Sequence, residues 1–119
     1  MTKEKREIHE RIYKFVLQVF TSVKQIPKTT ENIVLIKQVA RSAGSIGANA
    51  LEADGSESKK EFIHRLTISK KEAKETYYWL SLISDHNTFL RDKLYSLLDE
   101  NKQLILIISK IIINSKKKI

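Results

Sequence analysis

Cysteine is absent from the 119 residues, which excludes disulfides, thiolate zinc sites and cysteine nucleophiles together. One proline and three glycines are too few turn residues for a sandwich or barrel of many short strands, so the composition favours an all-helical fold. No apolar run suits a membrane. The richest, Leu104 to Ile113, reads LILIISKIII, carries Lys110 and falls short of the roughly 20 residues that a span needs. The first residues, MTKEKREIHER, hold no apolar targeting stretch, and a cytoplasmic protein is expected. Acidic residues are the scarcer sign: 14 Asp and Glu against 22 Lys and Arg leave a net charge of +8, a balance that suits polyanionic partners. Against these absences stands a 41% hydrophobic content, enough for one core, and a length that suits a single domain over 1–119.

Apolar residues recur with helical spacing. Ile8, Ile12, Phe15, Val19 and Val23 form one stripe of a helix over about Lys5 to Gln25, widened by Tyr13, Val16 and Phe20 and stopped before Pro27. Thr30 is the expected N-cap of a second helix to about Ala53, with a seam of Ile33, Ile36, Ala40, Ala43, Gly47 and Ala50. The seam shrinks along its length, which predicts a close neighbour. Gly44 and Gly47 each cost about 1 kcal/mol of helix propensity, and close packing is the reason assigned to both.

Asp54-Gly55-Ser56 is a turn signal, and Ser58 with Glu61 has capping-box spacing. A third helix then runs to about Ser84 on Phe62, Leu66, Ser69, Ala73, Thr76 or Tyr77, Leu80 and Ile83, with Asp85 to Thr88 as a loop. The fourth, about Phe89 to Asn114, uses Leu90, Leu94, Leu97, Leu98, Leu104, Ile105, Ile108, Ile111 and Ile112 before a frayed lysine tail at 116–118. Leu104 to Ile108 could form a strand by propensity, but its place in a long periodic segment favours helix. Four rods of similar length with short connections predict an antiparallel up-and-down four-helix bundle. Leu106, Ile107 and Ile113 lie off the fourth seam, and an outer apolar face predicts self-association.

Catalytic chemistry finds little to stand on. His9, His64 and His86 fall on different segments without an HExxH or a helical metal pair, and G-x-S-x-G, P-loop and G-x-G-x-x-G motifs are missing. No catalytic residue, metal or cofactor is predicted. Two polar sets draw attention instead. On the second helix Gln38, Ser42, Ser45, Asn49 and Glu52 recur at steps of four and three; the stripe is read as lying against another helix or subunit, with a ligand groove at Ser45, Asn49 and Glu52 as the alternative. On the third, Lys59, Lys60, Arg65, Lys70, Lys71 and Lys74 surround His64 against only Glu61 and Glu72. Lys60, His64, Thr67, Lys71 and Lys74 share one face, which could follow a phosphate backbone; a solvated face with intrahelical ion pairs is the competing reading. Charge is otherwise diffuse, with +3 on residues 1–25, 0 on 26–54, +2 on 55–84 and +3 on 85–119. Trp79, Tyr77 and Tyr78 are assigned to the core in preference to base stacking.

The middle of the chain, from Ile26-Pro27-Lys28 to about residue 83, carries Arg41-Ser42, Ser45-Ile46-Gly47-Ala48-Asn49, Glu52-Ala53, Ser58-Lys59-Lys60-Glu61-Phe62-Ile63-His64, Lys71-Glu72-Ala73-Lys74-Glu75-Thr76 and Tyr78-Trp79-Leu80. These strings resemble the four-helix-bundle family that includes proteins encoded in intervening sequences of bacterial large-subunit ribosomal RNA genes, in the branch with a K-E-A-x-E-T-x-Y-W-L pattern. Ala53 and Ser56 stand where another branch has glycine and arginine, so that arginine's anion-binding role does not carry over. The resemblance implies a small up-and-down bundle, often a homopentamer, without established enzymatic activity. Arg41, Ser42, Ser45, Asn49, Glu52 and Glu75 then form a polar interface or groove. A related member, the accessory protein of diversity-generating retroelements, is a basic pentamer that binds nucleic acid and a reverse transcriptase.

The resulting expectation is a non-enzymatic homo-oligomer that binds RNA or DNA through Lys59, Lys60, His64, Arg65, Lys71 and Lys74, as an accessory to a nucleic-acid enzyme such as a reverse transcriptase. The alternatives are a protein-interaction scaffold without nucleic-acid binding and a small-ligand site in the groove of the second helix.

Overall fold

The computed structural model describes residues 1–118. Four helices follow one another, α1 (Lys3–Val23), α2 (Thr30–Asp54), α3 (Lys59–His86) and α4 (Arg91–Lys117), with a single 3-10 turn at Thr88–Leu90 and no strand among the described residues. Leu104 to Ile108 is helical, with Leu104 and Ile108 on the buried α4 seam. α1 packs on α2 and α4, and α3 packs on the same two, while the α1 and α3 backbones stand diagonally apart. The helices therefore stand as a square, 47 Å long and 22 × 20 Å across, with the expected four-helix-bundle architecture.

Side-chain oxygens start three of the helices. Thr2, Thr29 and Ser58 have extended backbones, and each accepts a hydrogen bond from the amide three residues on, Lys5, Asn32 and Glu61. The α2 cap is thus Thr29, one residue before the expected Thr30, which forms the first helical residue instead. α1 ends at Val23, short of Gln25, because the amides of Lys24, Gln25 and Ile26 bond three residues back and tighten the chain ahead of Pro27. α3 continues through Asp85 and His86 until Asn87 caps it, so the expected loop shrinks to one turn. Lys116 and Lys117 prolong α4 where a frayed tail was expected, in keeping with cations at a helix C-terminus.

The core takes Ile12, Phe15 and Val19 from α1, Val39, Ala43, Ile46 and Ala50 from α2, Leu66, Ala73, Leu80 and Ile83 from α3, and Leu94, Leu97, Leu104 and Ile108 from α4. The α2 seam departs from expectation. Ile33 is exposed, while Val39, Ser42 and Ile46 are buried. The inward arc of α2 is turned toward α3, and hydroxyl pairing makes that burial affordable. Thr76 Oγ1 lies 2.8 Å from both Ser42 Oγ and the Glu72 carbonyl oxygen, and Ser69 Oγ donates across the interface to the Ile46 carbonyl at 2.7 Å. Thr76, not Tyr77, is the α3 seam residue.

At the opposite end, Asn32 and Asn87 exchange amide hydrogen bonds, both 2.9 Å, and lock the α1–α2 connection to the end of α3. Asn101 of α4 donates to the Ala73 carbonyl at 2.9 Å.

The two α2 glycines have different surroundings. A Cβ on Gly47 would stand 3.3 Å from Ile12 Cγ2 of α1, whereas one on Gly44 meets nothing within 4 Å. Close packing inside the subunit accounts for Gly47 and not for Gly44. Gly47→Leu should therefore destabilise the bundle by about 1–3 kcal/mol in chemical denaturation despite its better helix propensity. A more stable variant would contradict the α1–α2 crossing.

Candidate functional site

The ion pairs give six carboxylates to cations other than the α3 lysines. Arg11 grips Glu100 through Nε and Nη2 at 2.7 and 2.8 Å, Arg41 reaches Glu72 at 2.9 Å and Glu75 at 2.7 Å, Arg65 reaches Glu52 at 2.9 Å, and Arg91 meets Asp85 at 3.5 Å. Asp54 is taken by His9 and, at 3.8 Å, by Lys5. Among the described residues no ion pair includes Lys59, Lys60, Lys70, Lys71 or Lys74. Arg11 grips one carboxylate with two points of its guanidinium fork, and Arg41 uses the fork to bridge two carboxylates at once.

The structure sorts the predicted basic residues by helical position. Lys60, His64, Lys71 and Lys74 are exposed and share one face of α3 with Thr67 and Tyr78. Lys59, also exposed, and the half-buried Lys70 flank this face on one side. Arg65 points to the other side, toward α2, where Glu52 holds it. The face is thus a lysine stripe bordered by a neutralised arginine. The three neighbouring aromatics also separate. Trp79 and Tyr77 are half-buried, but Tyr78 is 56% exposed, a correction to its expected place in the core, because a step of one residue turns a side chain about 100° around a helix.

The polar set of α2 lies along the edge facing α3. Ser42 turns inward to Thr76, Asn49 Nδ2 donates to the Ser45 carbonyl at 2.9 Å, Glu52 binds Arg65, and Arg41 spans Glu72 and Glu75. Most of these groups are engaged with a neighbouring helix or with their own turn. Glu75 is held below the usual carboxylate range, first by hydrogen bonding with Glu72 and next by the charge of Arg41. Arg41 is pushed up, chiefly by its hydrogen bond to Glu72, which is 8% exposed.

Two features had no signal in local spacing. His9 Nε2 pairs with Asp54 across 45 positions, beside a cavity of about 330 Å³ lined by Ile8, Ile12, Phe62, Leu66, Ile108 and Ile111. A second hollow, about 560 Å³, runs between α1 and α2 over Gly44, Gly47 and Ala48, walled by Tyr13, Val16, Phe20 and Leu51. Tyr13, Phe20 and Leu51 are exposed there, as is Leu17 between the first two on α1. The outer face of α4 exposes Tyr95, Leu106 and Ile113. Ile107, expected with them, is half-buried and lies against the Ile8 and Arg11 side of α1, since its position turns it toward that neighbour.

The comparisons agree with this architecture. Residues 4–110 match the 23S rRNA-intervening sequence protein family. A crystal structure of a protein with unknown function from the S23 ribosomal protein family, from Bacteroides thetaiotaomicron, is 30% identical and superposes with a TM-score of 0.81, over 88% of this chain and 97% of that one. No curated protein matches. Neither match indicates an enzymatic family, and no described helix is long and apolar enough to cross a membrane.

The Arg41 cluster gives a pH signature. Glu75 has a lower pKa folded than unfolded, so its contribution to stability is present above the ordinary glutamate value of about 4.3 and is lost as pH falls through the lowered folded value. Denaturant midpoints should fall in that acid range. Glu75→Gln should be less stable at neutral pH by about 1 kcal/mol or less, the range of solvent-facing pairs, with a shallower acid decline. An unchanged acid profile would show that the cluster does not form.

Proposed function

The chain belongs to the 23S rRNA-intervening sequence protein family, and from that premise we propose that it is a non-enzymatic, cytoplasmic homo-oligomer that binds RNA or DNA through the exposed face of α3, as an accessory to a larger nucleic-acid enzyme such as a reverse transcriptase. The observation that carries this reading is the unpaired lysine stripe. Lys60, Lys71 and Lys74 share a face and have no carboxylate partner, in a chain of net charge +8. Free ammonium groups in a row are the sequence-independent part of nucleic-acid recognition, because each phosphate they neutralise releases condensed counterions. His64 and Thr67 add hydrogen-bonding groups on the same face, and Lys59 extends it at its start. Arg65 serves the bundle through Glu52 instead.

Self-association is supported by the two separate apolar surfaces. The hollow between α1 and α2 is concave and floored by Gly44, Gly47 and Ala48. The exposed Tyr95, Leu106 and Ile113 stand on α4, a helix that touches α1 and α3 but not α2. Two different patches on one subunit suit a heterologous contact, which closes into a ring when the rotation allows. Gly44 then has a reason that the isolated subunit lacks, since a helix of a second copy could approach it closely. Five copies of a +8 chain carry +40, and repeated α3 faces on one particle would hold a long polyanion with avidity.

Light scattering should give several times the 13.8 kDa of one chain. Gly44→Leu, whose Cβ would meet nothing within 4 Å and whose side chain would fill the hollow, should keep its helicity and lose the assembly; a wild-type monomer would overturn the oligomeric reading. For the ligand, the test is a salt titration of wild type and of Lys60→Glu, Lys71→Glu, Lys74→Glu combined. Loss of three phosphate contacts should weaken binding and reduce the slope of log K against log salt by about 2–3. Unchanged binding by an intact triple variant would remove α3 from the interface. Absence of wild-type binding at low salt would favour a protein-interaction scaffold.

A further inference from the structure

Lys60, Thr67, Lys71, Lys74 and Tyr78 occur at relative positions 0, 7, 11, 14 and 18 of α3. At 3.6 residues per turn these steps keep all five within a narrow stripe about 27 Å long. Its centre is a single row of lysines, with Lys59 and the half-buried Lys70 set to one side. Along its middle and end the neighbouring carboxylates are occupied, Glu75 and Glu72 by Arg41 and Asp85 by Arg91, while Glu57 and Glu61 stand unpaired beside Lys60 at its start. A single row of ammonium groups is matched to one phosphate strand, whereas a duplex presents two strands on either side of a groove.

At the end of the row stands an aromatic ring. Tyr77, next to it, has Lys102 of α4 over its ring at 5.5 Å, and Trp79 is half-buried. Tyr78 is the one of the three that faces solvent. Its ring meets Trp79 edge-to-face, with centroids 5.1 Å apart and planes at 71°, an arrangement that orients a ring still 56% exposed. An exposed tyrosine at this place is not used by the core, and it follows Lys74 at i+4, within one turn. An exposed aromatic ring beside a row of cations is the pairing that holds unstacked bases, since every base has a π-face and the lysines track its backbone. In a duplex those π-faces are covered by neighbouring pairs.

We infer that the ligand of this face is a single-stranded nucleic acid, its phosphates on Lys60, Lys71 and Lys74 and one base stacked on Tyr78. This inference rests on the reading of the α3 face as a nucleic-acid interface and adds the strandedness of its ligand. The lysines set the salt dependence, and Tyr78 sets the preference for single strands.

The test is fluorescence anisotropy of the full-length protein with a labelled oligothymidylate and with a labelled duplex of equal length, at one salt concentration and then in a salt series. Wild type should bind the single strand more tightly than the duplex. Tyr78→Ala should weaken the single strand about tenfold, as loss of one base–aromatic stack does, while leaving duplex affinity and the salt slope unchanged. Tyr78→Phe, which keeps the ring, should bind like wild type. Equal loss on both ligands, no loss on either, or dissociation of the oligomer in Tyr78→Ala would overturn the single-strand inference while leaving the lysine face in place. Failure of the wild type to bind either ligand at low salt would overturn the nucleic-acid reading itself, and this inference with it.

Discussion

The close approach of α2 and α3 is the constraint from which the rest of the molecule follows. Its middle is made of small or hydroxyl-bearing residues: Ser42 and Ala43 on α2, Ser69, Ala73 and Thr76 on α3, all fully buried. Small side chains let the backbones come together, and the hydroxyls find acceptors in the other helix or in the turn below. Ser69 reaching the Ile46 carbonyl is the most direct link, because it ties one backbone to the opposite side chain without a spacer. Larger residues complete the core on either side, with Phe15 and Ile12 of α1 and Leu104 and Ile108 of α4. Polar burial of this kind adds specificity of register only while each group stays satisfied, which ties helix spacing to hydrogen bonding.

That spacing also decides where charge is used and where it is left over. With α2 and α3 side by side, Arg41 can span Glu72 and Glu75, and Arg65 can reach Glu52 from the other helix. The same logic applies between α1 and α4, where Arg11 holds Glu100 and also donates to Gln103 at 2.6 Å. Acidic residues are the scarcer sign, so pairing them with guanidinium groups inside the bundle frees ammonium groups outside it. The positive surface is therefore a by-product of how the helices are fastened as well as of composition. On α3 the lysines are confined to the outer side because the opposite faces of that helix are committed to α2 and α4.

Apolar surface is left over in the same way. α1 contributes Ile12, Phe15 and Val19 to the core, yet Tyr13, Leu17 and Phe20 lie on its outer side. On α2, turning the buried arc toward α3 leaves Gly44 and Ala48 as the floor of a hollow on the α1 side. A helix in a square bundle has two neighbours, and its apolar arc must serve both; what exceeds that arc faces solvent or another subunit.

Much of the architecture was legible in the sequence, for physical reasons. Helix formation is local: periodic Ile and Leu positions, the Ser58 oxygen three residues before Glu61, Pro27 and the Asp54-Gly55-Ser56 turn act within a few residues of themselves, and they delimit four helices. The free lysines of α3 were visible as residue types, and their shared face followed from spacing alone. Periodicity does not say where on its circumference a helix meets each neighbour. Hence Ser42 and Val39 are inside while Ile33 is outside, Gly47 meets Ile12 while Gly44 meets nothing, and Tyr78 is exposed while its neighbours are half-buried. Thr29 and Thr30 carry the same oxygen, and only backbone geometry selects the first as the cap. The His9–Asp54, Arg41–Glu72 and Arg11–Glu100 pairs join positions 45, 31 and 89 residues apart, and no local rule links such partners. The sequence by itself determined which segments become helices and which charges are available; tertiary packing decided which side of each helix is buried and which cations stay unpaired, because both depend on what stands opposite in space.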